Sequence, residues 1–363
     1  MESLSFRSSG NMAGIQRGEY ILGVKLKDLI SPKIISFDDL TNKYIAIDAL
    51  NAIYQFMAII RQPDGTPLMD KEGNVTSHFS GLFYRTINLI EFGIRPVYVF
   101  DGKPPDLKLQ TIQKRSEIRE QAREKWLEAL HRGDIVAARK YAQAAIEINE
   151  MVILESKELL DAMGVPYVQA PSEGEAQAAY MVRKNDVWAS ASQDYDSLLF
   201  GSLRLVRNLT LRKKRKVAGK EELKEVDLEL LILDDILKNL GITREQLVDI
   251  AILIGTDYNE GIKGIGPKKA YNLIKKYSSL ERIAKLRIIE IGDIPVDEIR
   301  KIFLNPEVTD DYKIDWKAPN PEKIKEILVE RHDFSTSRVE KGIERLQTAY
   351  EKTKQASLES WFG

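Results

Sequence analysis

The sequence predicts an α/β fold: a central, mostly parallel sheet flanked by helices. Short apolar runs of strand character alternate with amphipathic helical stretches, and three of those runs lead into an aspartate. With 363 residues, 43% of them hydrophobic and 30% charged, the chain can bury a large core. That suits one large α/β domain or a core carrying a helical appendix.

The elements follow in order. Tyr44-Ile-Ala-Ile47 is a buried-strand pattern ending at Asp48, and an amphipathic segment continues through Ile60. A turn-rich stretch, Gln62-Pro-Asp-Gly-Thr-Pro67, precedes a helical pattern from about Ser77 to Phe92. Pro96-Val-Tyr-Val-Phe100 is a second strand and ends at Asp101. From Asp106 to Asn149 the pattern is helical, dense in charge and poor in the apolar stripe a core helix needs. It reads either as a solvated helical hairpin or as an excursion from the sheet that handles a polyanion. Val187-Trp-Ala-Ser-Ala191 is a third strand leading to Asp194. An alternating stretch from Leu203 places the basic run Arg212-Lys-Lys-Arg-Lys216 at the top of a hairpin. After residue 225 the chain reads as mostly helical, and Leu233 to Ile254 joins two amphipathic units. The tail from Thr353 is polar until Leu358, Trp361 and Phe362.

Composition removes several chemistries. The chain has no cysteine, which excludes disulfides, thiolate metal sites and a cysteine nucleophile. Its three histidines, His78, His131 and His332, lie far apart in sequence, so a histidine-rich metal site or a hydrolytic triad is not expected. No run of apolar residues is long enough to span a membrane, and Met1 to Tyr20 lacks the apolar stretch of a secretory signal. Net charge is −1, so a nucleic-acid binder of this composition must segregate its charge locally.

The chemistry concentrates in acids. Asp48, Asp101 and Asp194 follow strands, and in an open α/β sheet ligands bind beyond the carboxyl ends of the strands. Glu173 with Glu175, Asp194 with Asp196, and Asp257 could join them. Such a cluster cannot stay ionised unaided, because like charges raise one another's pKa. Two divalent cations would resolve the repulsion, and Mg²⁺ prefers an all-oxygen ligand set. Each piece also has an ordinary reading. Ser172-Glu-Gly-Glu175 matches a helix capping box, Asp194 and Asp196 could cap a turn, and Asp257 could form an Asx turn. Spacing alone therefore leads only to a hard-metal site.

Six blocks in order carry a more specific message. Tyr44-Ile-Ala-Ile-Asp-Ala49, Val99-Phe-Asp-Gly-Lys-Pro-Pro105, Ala170-Pro-Ser-Glu-Gly-Glu-Ala176, Ser192-Gln-Asp-Tyr-Asp196, Ile254-Gly-Thr-Asp-Tyr258 and Gly264-Ile-Gly-Pro-Lys-Lys-Ala270 closely resemble the signature blocks of flap endonucleases. The short tail is more similar to archaeal than to eukaryotic members. The resemblance implies a PIN-like nuclease core with a helical arch and a helix–hairpin DNA-binding element. It also implies two-metal cleavage near the base of a 5′ flap in Okazaki fragment maturation and repair, with some 5′-3′ exonuclease activity. Position by position, the metal ligands would be Asp48, Asp101, Glu173, Glu175, Asp194, Asp196 and Asp257. They would hold two Mg²⁺ ions, with Mn²⁺ able to substitute.

The same carry-over extends to DNA. Among Lys103, Lys108, Lys114, Arg115, Arg119, Arg123 and Lys125, the pair Lys108 and Arg115 is spaced by two helical turns and shares one face. On pattern alone the interleaved Glu117, Glu120 and Glu124 favour a salt-bridged solvated helix. The resemblance makes Lys108 and Arg115 contacts to the reacting phosphate and Tyr54 a stacking platform for a base. Gly264 and Gly266 form a turn opening a helix, whose free N–H groups, with Lys268 and Lys269, would hold a duplex backbone. Arg61 is matched as a DNA contact, and Thr76 and Phe334 as positions near a pocket for a one-nucleotide 3′ flap.

Gln355, Leu358, Trp361 and Phe362 resemble the box by which partners bind a sliding clamp such as PCNA, with the last three on one helical turn. The expected organisation is an N-terminal extension at 1–22, a nuclease core at 23–353 and a clamp-binding tail at 354–363. Within the core the expectation is an N-region at 23–125, an arch at about 106–149, an internal region at about 150–280 and a helical part at 281–353. Because Gly23-Val24 resembles the usual family start, the extension is read as a mis-assigned start with initiation at Leu22. The expected setting is a monomer in an archaeal-type cytoplasm, acting on branched DNA at the replication fork without a membrane. Alternatives are a 5′ exonuclease of the same superfamily and a non-catalytic junction binder recruited to the clamp. The tight Asp101-to-Glu173 span and the terminal box favour the flap enzyme.

Overall fold

A computed structural model describes residues 24–62, 65–210, 214–216 and 223–362, with side chains except at 214–216, 223–225 and 355–362. The expectation for residues 1–22, and Arg212 and Lys213 of the basic run, lie outside the described residues.

The strands are β1 (Lys33–Ile35), β2 (Tyr44–Asp48), β3 (Arg95–Phe100), β4 (Tyr167–Gln169), β5 (Ala189–Ala191), β6 (Arg204–Arg207), β7 (Lys214–Lys216), β8 (Leu223–Glu225) and β9 (Leu228–Ile232). Seven form one sheet in the order β1-β9-β6-β5-β2-β3-β4. The contiguous run from β6 to β4 is parallel, as the alternation of strands and helices predicts. At the other edge β9 pairs antiparallel with β6 and β1 antiparallel with β9. The helical reading after residue 225 therefore fails at β9. Leu228-Glu-Leu-Leu-Ile232 is too short for periodicity to separate strand from helix, and pairing with β6 decides it. The basic run does enter a hairpin, through β7 paired with β8.

Side chains alternate across the sheet as the pleat requires. Ile45, Ile47, Tyr98 and Phe100 face one buried cluster, while Ala46, Val97 and Val99 face another. The first face is covered by α1 (Ala49–Ile59), α2 (Ser77–Glu91), α5 (Glu150–Met163) and α14 (Thr336–Phe362), with α13 (Pro321–Lys325) beside α5. The second face carries α6 (Gly174–Arg183) and α7 (Asp196–Leu199). A second core joins α8 (Leu233–Leu240), α9 (Arg244–Ile254), α10 (Pro267–Tyr277), α11 (Leu280–Lys285) and α12 (Val296–Leu304). No helix of the described residues is long and apolar enough to cross a membrane.

The charged excursion is a helical pair, α3 (Leu109–His131) and α4 (Ile135–Ala144), entered through a 3-10 turn at Asp106–Lys108. Only Ala122 and Ala129 of α3 are buried, and α4 buries Ala138 and Ala142. Small residues let the two helices pack closely while their outer faces stay solvated.

Candidate active site

Register brings the acids together. Asp48 ends β2 opposite Val99 of β3, two residues before Asp101, and Ile47 pairs with Ala191 of β5, three residues before Asp194. Asp48 also caps α1, accepting the N–H of Asn51 at 3.0 Å. Asp101 accepts the N–H of Gly174 at 2.5 Å. A Cβ at residue 174 would lie 2.5 Å from Asp101 Oδ1, so the glycine of Ser172-Glu-Gly-Glu175 is required by the neighbouring acid.

The ordinary readings of these motifs do not hold. Glu173, not Ser172, is the N-cap of α6, and no side-chain cap bond forms there. Glu175 instead accepts from Ser197 Oγ at 3.0 Å. Asp196 accepts the backbone N–H of Val24 at 2.9 Å, and Asp194 accepts Nδ2 of Asn51 at 2.9 Å. The loop after α9 is closed by Thr256 and Asn259, which leaves the carboxylate of Asp257 to face Arg115.

Positive charge arrives from the base of the helical pair. Lys108 Nζ lies 2.6 Å from Glu173 Oε2 and 3.5 Å from Asp257 Oδ2, and Arg115 Nη2 lies 2.5 Å from Asp257 Oδ1. Both therefore share one face, as their spacing predicts. Lys114 pairs with Glu260 beyond α9 rather than with a glutamate of its own helix.

Electrostatics match the crowding. Burial pushes the carboxyls of Asp48 and Asp101 up to about 6, with Asp48 adding to the effect on Asp101. Burial and then Asp257 push Asp196 up to about 7. Burial and then Asp196 hold Glu175 and Asp194 well above the usual carboxylate range. Glu173 is raised by burial against the pull of Lys108. Burial opposes the charge of Lys108, but Glu173, Asp101 and Asp257 together raise its pKa.

Among the described residues no three of these carboxylates close on a single point, and Lys108 and Arg115 supply the positive charge between them. The donor set nevertheless fits hard divalent ions. It is all oxygen, burial and neighbouring acids raise the pKa values of Asp48, Asp101, Glu173, Glu175, Asp194 and Asp196, and Glu173 Oε1 is buried without a hydrogen-bond partner.

The remaining expected residues are distributed around this centre. Tyr54 is half-buried on α1 against the core. Arg61 donates to the carbonyls of Gly65 and Ala142 at 2.9 and 3.0 Å, tying the end of α1 to α4 rather than standing beside the acids. Gly266 is the N-cap of α10 with Pro267 in its first turn, and Gly264 has φ +81. A Cβ at either glycine would meet nothing within 4 Å, and Lys268 and Lys269 are exposed. Thr76 is buried at the start of α2, and Phe334 packs on the core. The segments carrying these two are tied together by Lys71 with Asp333 at 2.5 Å and by His332 Nδ1 with Asp70 Oδ2 at 3.0 Å. The backbone of the tail continues α14 to Phe362, while the side chains of Gln355, Leu358, Trp361 and Phe362 lie outside the described residues.

Sequence reasoning missed Asn51 and the pairing of His332 with Asp70. A polar residue one turn after a strand-end aspartate was the available signal for Asn51. Nothing local marks the second pair, which joins residues 262 apart.

Comparison with known proteins agrees with this fold. Residues 22–122 match the XPG N-terminal domain and residues 164–257 the XPG I-region. Flap endonuclease 1 of Pyrococcus abyssi is 58% identical over 342 residues, covering 94% of this chain and 98% of that protein. Flap endonuclease 1 of Staphylothermus marinus is 55% identical, covering 94% of this chain and all of its own length. The solved flap endonuclease-1 from Methanococcus jannaschii superposes with a TM-score of 0.72 at 44% identity, covering 91% of this chain and 99% of that one. The catalytic core of Rad2 in complex with DNA substrate superposes at 0.65 with 26% identity, covering 88% of this chain and 97% of that core. Sheet and relatives agree, and the chain belongs to the flap endonuclease family.

Proposed function

We propose that this structure-specific 5′ flap endonuclease of replication and repair cuts the phosphodiester near the flap base with two Mg²⁺ ions held by its seven acids. The observation that carries the reading is the convergence of Lys108 and Arg115 on Glu173 and Asp257. Two cations from the helical arch thereby stand where a phosphate would enter.

Asp48, Asp101, Glu173, Glu175, Asp194, Asp196 and Asp257 would hold the ions, with Mn²⁺ as a substitute. Bound there, the pair would activate a water and stabilise the leaving oxygen. Lys108 and Arg115 then exchange their carboxylate partners for the scissile phosphate and stabilise the charge that develops on it. Tyr54 offers a face to an unpaired base. Gly264 and Gly266 hold duplex phosphates with the N–H groups opening α10, and Lys268 and Lys269 add charge. Arg61 serves DNA indirectly by fixing α4. Thr76 and Phe334 border the pocket for a one-nucleotide 3′ flap. Gln355, Leu358, Trp361 and Phe362 tether the enzyme to a sliding clamp. The same centre would trim recessed 5′ ends exonucleolytically, and the enzyme would act as a monomer in the cytoplasm at the fork.

Cleavage of a labelled double-flap DNA with Mg²⁺, beside EDTA and an Asp194→Ala variant, tests this. Metal-dependent incision near the flap base, lost in the variant, is expected. Junction binding without incision under any divalent metal would overturn the catalytic reading in favour of a clamp-recruited junction binder.

A further inference from the structure

Asn51 grips two acids that come from different strands. Its backbone N–H donates to Asp48 Oδ1 at 3.0 Å, and its side-chain Nδ2 donates to Asp194 Oδ2 at 2.9 Å. The residue is buried, at 8% exposure. Its amide is itself oriented: Oδ1 accepts from Nε2 of Gln55, one helical turn on. Gln55 Oε1 in turn accepts from Thr210 Oγ1 at 3.0 Å. As a metal ligand Asp194 would be ionised and could only accept hydrogen bonds, which matches the NH₂ that Asn51 turns toward it. Donation therefore runs in one direction, from Thr210 to Gln55 to Asn51 to Asp194. A cavity of about 10 Å³, lined by Asp48, Asn51, Gln55, Ser192 and Thr210 among others, lies against the relay. It has room for at most about one water.

We infer that Asn51 is a positioning residue for Asp194 and that the polarity of the Thr210–Gln55–Asn51 relay sets the divalent-metal affinity of the site. This rests on the two-metal reading above. Residues that orient a metal ligand typically change affinity by about 10–100-fold when removed.

The polarity gives a test that packing alone does not. In Gln55→Glu the new carboxylate accepts from Thr210 and from Asn51, which reverses the Asn51 amide and turns its oxygen toward Asp194. The shape is nearly unchanged, while the added negative charge would by Coulomb attraction strengthen binding of a cation. Orientation and charge therefore pull in opposite directions.

The experiment titrates Mn²⁺ into the full chain without DNA, reading free Mn²⁺ by electron paramagnetic resonance, for wild type, Asn51→Ala and Gln55→Glu. Thermal melts in EDTA verify that each variant is folded. The expected result is a dissociation constant raised about tenfold or more in both variants. Gln55→Glu binding Mn²⁺ as tightly as wild type, or more tightly, overturns the relay, as does unchanged affinity in a folded Asn51→Ala. If Asn51→Ala does not fold, Gln55→Glu decides alone. Wild type that takes up no Mn²⁺ overturns the metal reading itself, and with it the relay, an outcome distinct from failure in the variants.

Discussion

Lys108 and Glu173, 65 residues apart, meet through an ammonium–carboxylate contact of 2.6 Å. The lysine enters from the base of the helical arch, and the glutamate stands at the start of α6. The lysine is largely buried, with 15% of its side chain exposed, so its charge is placed where a phosphate, and not bulk water, would compete for it.

Removing that charge should act on chemistry more than on binding. Lys108→Met and Arg115→Met are each expected to slow single-turnover flap cleavage by about 10²–10³-fold. Flap-DNA affinity, which is spread over many phosphate contacts, should change far less. A rate within threefold of wild type would remove either residue from the mechanism.

Without divalent metal the acids make stability depend on pH in an unusual direction. Asp48 and Asp101 at about 6, and Asp196 at about 7, bind protons more tightly folded than unfolded. The folded chain then holds more protons than the unfolded chain between about pH 4 and 7, so these groups add stability as pH falls through that window. In EDTA, Asp196→Asn should raise the melting midpoint at pH 8 by roughly 3–8 °C. Asparagine keeps an oxygen for the Val24 N–H. An unchanged or lower midpoint would contradict the stated electrostatics.

The pairing of Asp70 with His332 works in the opposite sense. Burial would raise the Asp70 carboxyl, but His332, Asn74 and the Glu72 N–H together bring it down to about 2. Its contribution is present above the unfolded value near pH ~4 and is lost as pH falls toward 2. His332→Ala should cost about 1–3 kcal/mol in urea unfolding at pH 7, and Asp70→Asn should flatten the acid limb below pH 4. Since this pair ties the segments of Thr76 and Phe334, both variants should also weaken preference for a substrate with a one-nucleotide 3′ flap.

The tail is separable from the chemistry. Trp361→Ala with Phe362→Ala should abolish clamp binding in calorimetry and any clamp stimulation, while cleavage of free flap DNA stays within about twofold. Retained clamp affinity would place the tether elsewhere.

Much of this site was legible in the sequence because strand ends impose geometry. Once Tyr44-Ile-Ala-Ile47 and Pro96–Phe100 are read as parallel neighbours, Asp48 and Asp101 must converge, and the signature blocks supply the other acids. Gly174 was visible but unexplained until Asp101 stood against it. The antiparallel edge was not legible, since Leu228–Ile232 looks locally like the start of a helix. Asn51 and Gln55 read as ordinary polar residues of an amphipathic helix. What distinguishes them is side-chain direction toward Asp194 and Thr210, a tertiary property without a local signature. His332 was set aside for its distance in sequence from His78, a criterion that says nothing about folded neighbours.

The sheet order has a consequence for how the enzyme is made. β2 sits between β3 and β5, so the strand carrying the first acid is completed by a partner synthesised more than a hundred residues later. The final acid, Asp257, follows α9 and arrives only after the whole sheet has left the ribosome. A growing chain thus carries the arch cations long before it has the full set of carboxylates that answer them. On the seven-acid reading, a truncated product ending before α9 would hold six of those acids and lack Asp257.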